Sequence, residues 1–229
     1  MPKKRWLFWL MIAFWGITGF YICGYLSGPV WAQTERDPSD IKVQKIAVMP
    51  FLKGFYGTKI SETLDTPLYQ ASFNPDNISA DADQILRKYI HQALGNRLGE
   101  KVIPLIDNIK AYDQLPKDGI KDTPRTLAIK LGKALGANLI MGGYVWRYKE
   151  RIGGSYGVES PASVAFGIYL LHMASGKRVL NAKFDETQKS LSENLLSAKA
   201  FFQRKGKWLT ANELAQYGVN EIFKKFPLH

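Results

Sequence analysis

Between Trp6 and Leu26 the chain carries an apolar run of 21 residues without one charged side chain, and Lys3, Lys4 and Arg5 stand directly before it. As a helix this run would rise about 30 Å, the thickness of a bilayer's hydrocarbon core. A polar break follows at Ser27-Gly28-Pro29, and then Val30-Trp31-Ala32, whose −3 and −1 residues suit a signal peptidase cutting before Gln33. Cationic start, apolar stretch and small-residue exit together make an export signal. The rest of the chain is therefore expected on the periplasmic side of a bacterial cell envelope.

Three fates follow for residues 1–32. The run exceeds the roughly 7–15 residues of an ordinary signal-peptide core, so it is long enough to be kept as a membrane anchor, with Lys3, Lys4 and Arg5 on the cytoplasmic side. Cleavage after Ala32 would instead release a free periplasmic protein. Lipidation at Cys23, the single cysteine, is the third fate; Phe20-Tyr21-Ile22 opposes it, because a lipoprotein peptidase site wants a small residue where Ile22 stands. The retained anchor is the leading reading, in the inner rather than the outer membrane. Accordingly, 1–32 is read as signal peptide or signal anchor, 33–42 as a linker containing Pro38, and 43–229 as the body.

That body is long enough for one domain with a full core. Its charge is basic: taking Lys3, Lys4 and Arg5 from 31 basic residues leaves 28 against 20 acidic ones. A basic exported domain favours anionic partners such as lipid head groups or glycans, and its compartment excludes nucleic acid. With Cys23 in the anchor, the body has no thiol for a disulfide, and its stability must come from packing.

Along the body, Val43–Phe51 is rich in β-formers and reads as a buried strand ended near Pro50. Leu52–Ala80 reads as a long irregular loop. From Asp81 the residues Ile85, Leu86, Tyr89, Ile90, Ala93, Leu94 and Leu98 recur at helical spacing, with Gly99 as the stop. Lys101–Ile106 reads as a second strand. Thr123-Pro124 opens another helix, through Leu127, Ala128, Leu131 and Leu135 to Gly136. Three strands follow as a meander: Ala137–Glu150, starting apolar and then alternating into an exposed extension; Ser163–Met173; and, after the Ser175-Gly176-Lys177 turn, Arg178–Phe184. Ser190–Glu193 and Thr210–Glu213 are both capping boxes, the second opening a helix that buries Leu214, Tyr217, Ile222 and Phe223. The expected fold is α/β: a single three-layer-like domain with a mixed sheet of about five strands in the order β-α-β-α-β-β-β-α.

Lys45-Ile46-Ala47-Val48-Met49-Pro50-Phe51 is similar to the opening "IAVLPF" strand of a group of envelope lipoproteins. Ala134–Gly143 is similar to their "A-x-x-LGAD-x-(V/L)-x-G", and Ala174-Ser175-Gly176-Lys177 to their "D-x-x-TG" hairpin turn. The body thus resembles the group formed by the curli-secretion channel subunit, the outer-membrane activators of penicillin-binding proteins and the amino-terminal domain of TolB. The resemblance covers about residues 43 to 188 and implies a non-enzymatic assembly or regulatory factor of a larger secretion, polysaccharide or cell-wall machine. Its partners would be an envelope protein complex and the membrane through residues 6–26, with self-association into a homo-oligomer left open. The channel-forming members need two long amphipathic hairpins per subunit, and here only Val145–Val164 offers one, so a pore is not expected.

No catalytic residue is expected. His91, His172 and His229 lack metal-like spacing, so neither a metal nor a cofactor is assigned. No Gly-Lys pair is followed by the Ser or Thr of a phosphate loop, and adjacent Asp185 and Glu186 would point to opposite faces of a strand. The candidate binding site is a hairpin. Arg147, Lys149 and Arg151 alternate with Trp146, Tyr148 and Glu150, and Gly153-Gly154-Ser155-Tyr156-Gly157 with Glu159 makes a turn presenting an aromatic. The binding set is Arg147, Lys149, Arg151, Tyr156 and Glu159; the plain alternative is a solvated hairpin whose glycines serve the turn. Phe201, Phe202, Arg204, Lys205, Lys207 and Trp208 form a second basic-aromatic segment, suited either to a membrane surface or to closing the core. Beside the assembly-factor reading stands that of a periplasmic module binding an anionic glycan or lipid through Leu52–Ala80 and the hairpin around Tyr156.

Overall fold

In the computed structural model, residues 30–33, 42–54, 64–65, 77–189, 207–226 and 228 are described. The apolar run Trp6–Leu26, the Ser190–Glu193 capping box and Phe201–Lys205 lie outside them. Among the described residues no helix is long and apolar enough to cross a membrane.

The β-rich stretch after Val43 lays two short strands along one long neighbour. β2 (Ile46–Val48) and β3 (Leu52–Lys53) both run parallel to β4 (Leu139–Lys149), Ile46 opposite Leu139 and Leu52 opposite Tyr144. Pro50 sits between them; it has no amide hydrogen to give, so the ladder breaks there and resumes two residues on. β7 (Ser163–His172) and β8 (Lys177–Thr187) complete the antiparallel meander with β4. β1 (Val30–Gln33) then adds to the far side of β8, antiparallel, with Val30 opposite Phe184 and Gln33 opposite Asn181. The order across the sheet is β1-β8-β7-β4-β2, with β3 continuing the last position. This is the expected mixed sheet.

Alternation along the strands sends apolar side chains to both faces, and helices cover both. On one face lie α1 (Ala82–Leu98) and α4 (Ala211–Lys224). Ala82, Leu86, Ile90, Leu94 and Leu98 recur every four residues as the buried stripe of α1, while Ile85, Tyr89 and Ala93 pack at its margin. Each fully buried Leu or Ile contributes about 1.5–3 kcal/mol of transfer free energy. The Thr210 capping box forms as expected: its hydroxyl accepts from the Glu213 amide at 3.2 Å and Glu213 Oε2 accepts from the Thr210 amide at 2.8 Å. Of the residues expected to be buried by α4, Leu214, Ile222 and Phe223 are, and Tyr217 packs against the cluster partly exposed.

The opposite face packs on α2 (Leu105–Asp113) and α3 (Pro124–Leu135), where Leu127, Ala128 and Leu131 meet Ala47, Met49, Ile140, Tyr144, Tyr169 and Leu171. Thr123 caps α3, and Gly136 closes it in the left-handed conformation at φ 61°.

Two expectations are corrected. Lys101–Ile106 is not a strand: only Val102 bridges to Ile46, and the chain enters α2 at Leu105. Pro104 holds a helix-compatible φ of −53° there, and the buried Asn108 amide group donates to the Ile103 and Pro104 carbonyls at 2.9 and 3.1 Å, fastening the first turn. Nor does the end of β4 leave the core as an exposed extension. A bulge between Val145 and Arg147 resets the alternation, and Tyr148 is buried with its hydroxyl donating to Asn212 Oδ1 at 2.6 Å.

Candidate functional site

Between β4 and β7 the chain makes a separate hairpin, β5 (Ile152–Gly153) with β6 (Val158–Ser160). It projects from the end of the sheet where β4 finishes and β7 begins, since Lys149 lies opposite Ser163 and Ser163 opposite Thr187. Its tip is closed by the Gly154 amide donating to the Gly157 carbonyl at 2.8 Å. Gly153 holds φ 110°, and a Cβ there would meet the Gly157 carbonyl oxygen at 2.8 Å, so the turn demands glycine at this position.

The five sequence-proposed residues divide into two groups. Arg147 and Arg151 are built into the structure. Arg147 lies at the bulge, where its guanidinium donates to Ser163 Oγ at 2.6 Å and pairs with Asp185. Arg151 folds back across the base of the hairpin, donating to the Trp208 carbonyl and, at 3.2 Å, to Ser155 Oγ; the Trp208 amide donates to the Ser155 carbonyl at 2.9 Å. The hairpin is thereby stitched to the segment that leads into α4. Lys149, Tyr156 and Glu159 are exposed, and Tyr156 at the tip keeps 82% of its surface open.

The aromatics of the alternating stretch do not share a face. Trp146 packs partly buried beside Tyr144, with ring centroids 5.9 Å apart and the Lys183 ammonium 5.9 Å above its ring. Tyr148 points to the other side, into the α1/α4 core, where burial pushes its phenol up from its ordinary pKa. Glu150 reaches α4: its carboxylate accepts from the Ala211 amide at 3.1 Å, a favourable place for negative charge at a helix N-terminus.

Sequence reasoning passed over Ile152, an apolar residue 58% exposed on the same hairpin as Tyr156. The signal was available: an isolated Ile before two glycines has no partners from which to build a core. The two ends of the Leu52–Ala80 loop also meet the base of this hairpin. The Gly54 amide donates to the Val145 carbonyl at 2.9 Å, and the Ser79 amide to the Tyr148 carbonyl at 3.1 Å. Lys53, Ala80 and Asp83 close that junction with a further hydrogen bond and an ion pair.

His91 and His172 sit on different elements, α1 and β7. His91 Nε2 is 3.0 Å from the Ile103 carbonyl oxygen and His172 Nδ1 is 3.1 Å from Ser175 Oγ. Among the described residues no group of three His, Cys, Asp or Glu side chains is arranged to hold a metal ion.

No known family model matches the chain, and no curated protein matches its sequence. Solved structures with a similar chain path include the PelC dodecamer from Paraburkholderia phytofirmans, at 12% identity and TM-score 0.47, covering 88% of this chain and 99% of that one. Lipoprotein GNA1162 from Neisseria meningitidis gives 15% identity and TM-score 0.39 over 71% of this chain and 98% of that one. The LpoB C-terminal domain from Salmonella enterica gives 14% and 0.37 over 65% and 87%.

Proposed function

We propose that this chain is a non-enzymatic factor of a bacterial cell envelope, held to the inner membrane by Trp6–Leu26 and acting on the periplasmic side in the assembly or regulation of a larger envelope machine. The observation that carries the reading is the continuity between export segment and domain. Only Ser27, Gly28 and Pro29 separate the uncharged run from β1, which is itself part of the sheet. The motif resemblance over about residues 43 to 188 supports the class of task, because Ile46–Val48 and Leu139–Gly143 are the paired parallel strands around which the domain is built.

Intact mass and membrane fractionation of the native protein test this reading. A full-length chain recovered in the inner membrane supports it. A soluble product beginning at Gln33 overturns the anchor, and a diacylglycerol-bearing product beginning at Cys23 replaces it with lipid attachment.

A second reading, a module binding an anionic glycan or lipid, is favoured by one feature: Tyr156 stands open at a projecting tip with Lys149 exposed at its base. A salt-sensitive affinity for an isolated anionic glycan, weakened by Lys149→Ala and Tyr156→Ala, would support that module. A defined protein complex recovered by crosslinking in the envelope, without glycan affinity, would support the assembly factor.

A further inference from the structure

β1 runs antiparallel to β8 and begins opposite Phe184, so the chain preceding Val30 arrives from the Asp185–Thr187 end of β8. Thr187 lies opposite Ser163, and Ser163 opposite Lys149. The sheet therefore receives the N-terminal segment at the same end from which the β5–β6 hairpin projects. The distance is short. From Phe184 to Thr187 is three strand steps, about 10 Å, and the four steps from Leu26 to Val30 can span no more than about 14 Å. A tether of that length can carry the apolar run no more than about 4 Å past the sheet end.

Taking the anchored reading of Trp6–Leu26, we infer that the β5–β6 hairpin is a second membrane contact, with Ile152 and Tyr156 entering the lipid interface beside the anchor. The side chains at this end fit a bilayer surface. Ile152 and Tyr156 are open apolar and amphipathic groups, the kind that settle at the headgroup boundary. Lys149, Lys189 and Lys207 are exposed around them. The Arg151 guanidinium donates to the neutral Trp208 carbonyl and Ser155 hydroxyl, while the neighbouring Glu150 carboxylate accepts from the Arg151 amide at 2.9 Å. Of the nearby acids, Glu150 is engaged at the start of α4, and Glu159 stands exposed among these cations. The balance suits anionic head groups. The occupant is lipid rather than a protein because a short tether forces this end against the bilayer whatever else the domain binds.

The test places a thiol at the tip and another at the far end of the full-length chain. Tyr156→Cys and Ala174→Cys are each made in a Cys23→Ser background and reconstituted in vesicles containing phosphatidylglycerol. Ala174 is exposed in the β7–β8 turn, at the opposite end of strands that span about 30 Å. Reaction with a membrane-impermeant maleimide is compared in vesicles and in detergent-free buffer after proteolytic release of the domain from the membrane. The expected result is a reaction at position 156 slowed by roughly an order of magnitude in vesicles, as for a group seated in the headgroup layer, with position 174 unchanged. Equal, fast reaction at both positions in a protein that co-floats with the vesicles overturns the hairpin contact while leaving the anchor intact. A protein that fails to co-float overturns the anchored reading, and the inference with it. Both altered side chains are exposed, and retention of the wild-type circular dichroism spectrum confirms the fold.

Discussion

Asp122 shows how a single polar side chain fixes the approach to α3. Its side chain is 6% exposed, yet it accepts from the Lys130 ammonium at 2.8 Å, from the Asp118 amide at 2.7 Å and from the Thr126 hydroxyl at 3.1 Å. The Lys130 hydrogen bond, with help from Asp118 and Thr126, holds its carboxyl below the ordinary carboxylate pKa against the opposing effect of burial. A lowered folded-state pKa means stabilisation that is complete above the unfolded value and lost as pH falls through the folded one. Asp122→Asn should therefore cost about 1–3 kcal/mol at pH 7 and progressively less in acid, as read by urea unfolding at the two pH values. Asn138 is a comparable latch, its Oδ1 accepting from the Gln44 and Lys45 amides at 3.0 and 2.9 Å and its amide group donating to the Lys42 carbonyl at 2.8 Å. Asn138→Ala should lose about 1 kcal/mol in thermal unfolding and Asn138→Asp less, because only the bond to Lys42 goes. Such bonds were not legible in the sequence, which shows an Asn after Gly136 and Ala137 but not which distant amides it meets.

Among the elements, helix α1 and the meander were the most legible, because each repeats one spacing long enough to exclude the other. Ile90 is fully buried in the α1 stripe, and Ile90→Ala should destabilise the domain by about 2–5 kcal/mol in denaturant titration. Helix α2 escaped detection because the β-branched Val102 and Ile103 precede Pro104, and proline reads equally as a strand end or a helix start until Asn108 decides it. The β4 bulge was hidden for a related reason: Trp146, Tyr148 and the intervening Arg147 alternate perfectly in sequence, but the backbone spends one residue there and sends the two aromatics to opposite faces. Within β4 itself, a Cβ on Gly143 would lie 2.6 Å from the Gly167 carbonyl oxygen as well as against the Phe51 ring. Gly143→Ala should cost about 1–3 kcal/mol, since backbone cannot step aside as a side chain can. At the candidate site, the exposed tyrosine and the glycine turn were legible, whereas the conversion of Arg147 and Arg151 into internal fasteners was not, because their partners Asp185 and Trp208 are distant in sequence. Arg151→Ala should accordingly speed amide exchange at Trp208 while leaving the global unfolding midpoint nearly unchanged.

For the whole molecule, the sheet joins the residues nearest the apolar run to the last strand of the meander, so one end of the strand order depends on what happens before Val30. Ala32 lies opposite Ala182 in the antiparallel register. In a Cys23→Ser background, Ala32→Cys with Ala182→Cys should form a disulfide on mild oxidation, seen as a mass loss of two hydrogens; opposed positions bring Cβ atoms to about 4.5–5.5 Å, near the range a disulfide spans. Free thiols after oxidation would show that the pairing does not persist in the native protein. The same register gives meaning to the bond between Ala32 and Gln33. A peptidase cutting there would leave β8 with one of its four β1 partners, Gln33, and the outward N–H and C=O groups of Ala182–Phe184 would become a vacant template for a strand from elsewhere. In a retained chain this edge is filled by its own leader; in a processed one, maturation itself would open a seat that a second polypeptide could fill.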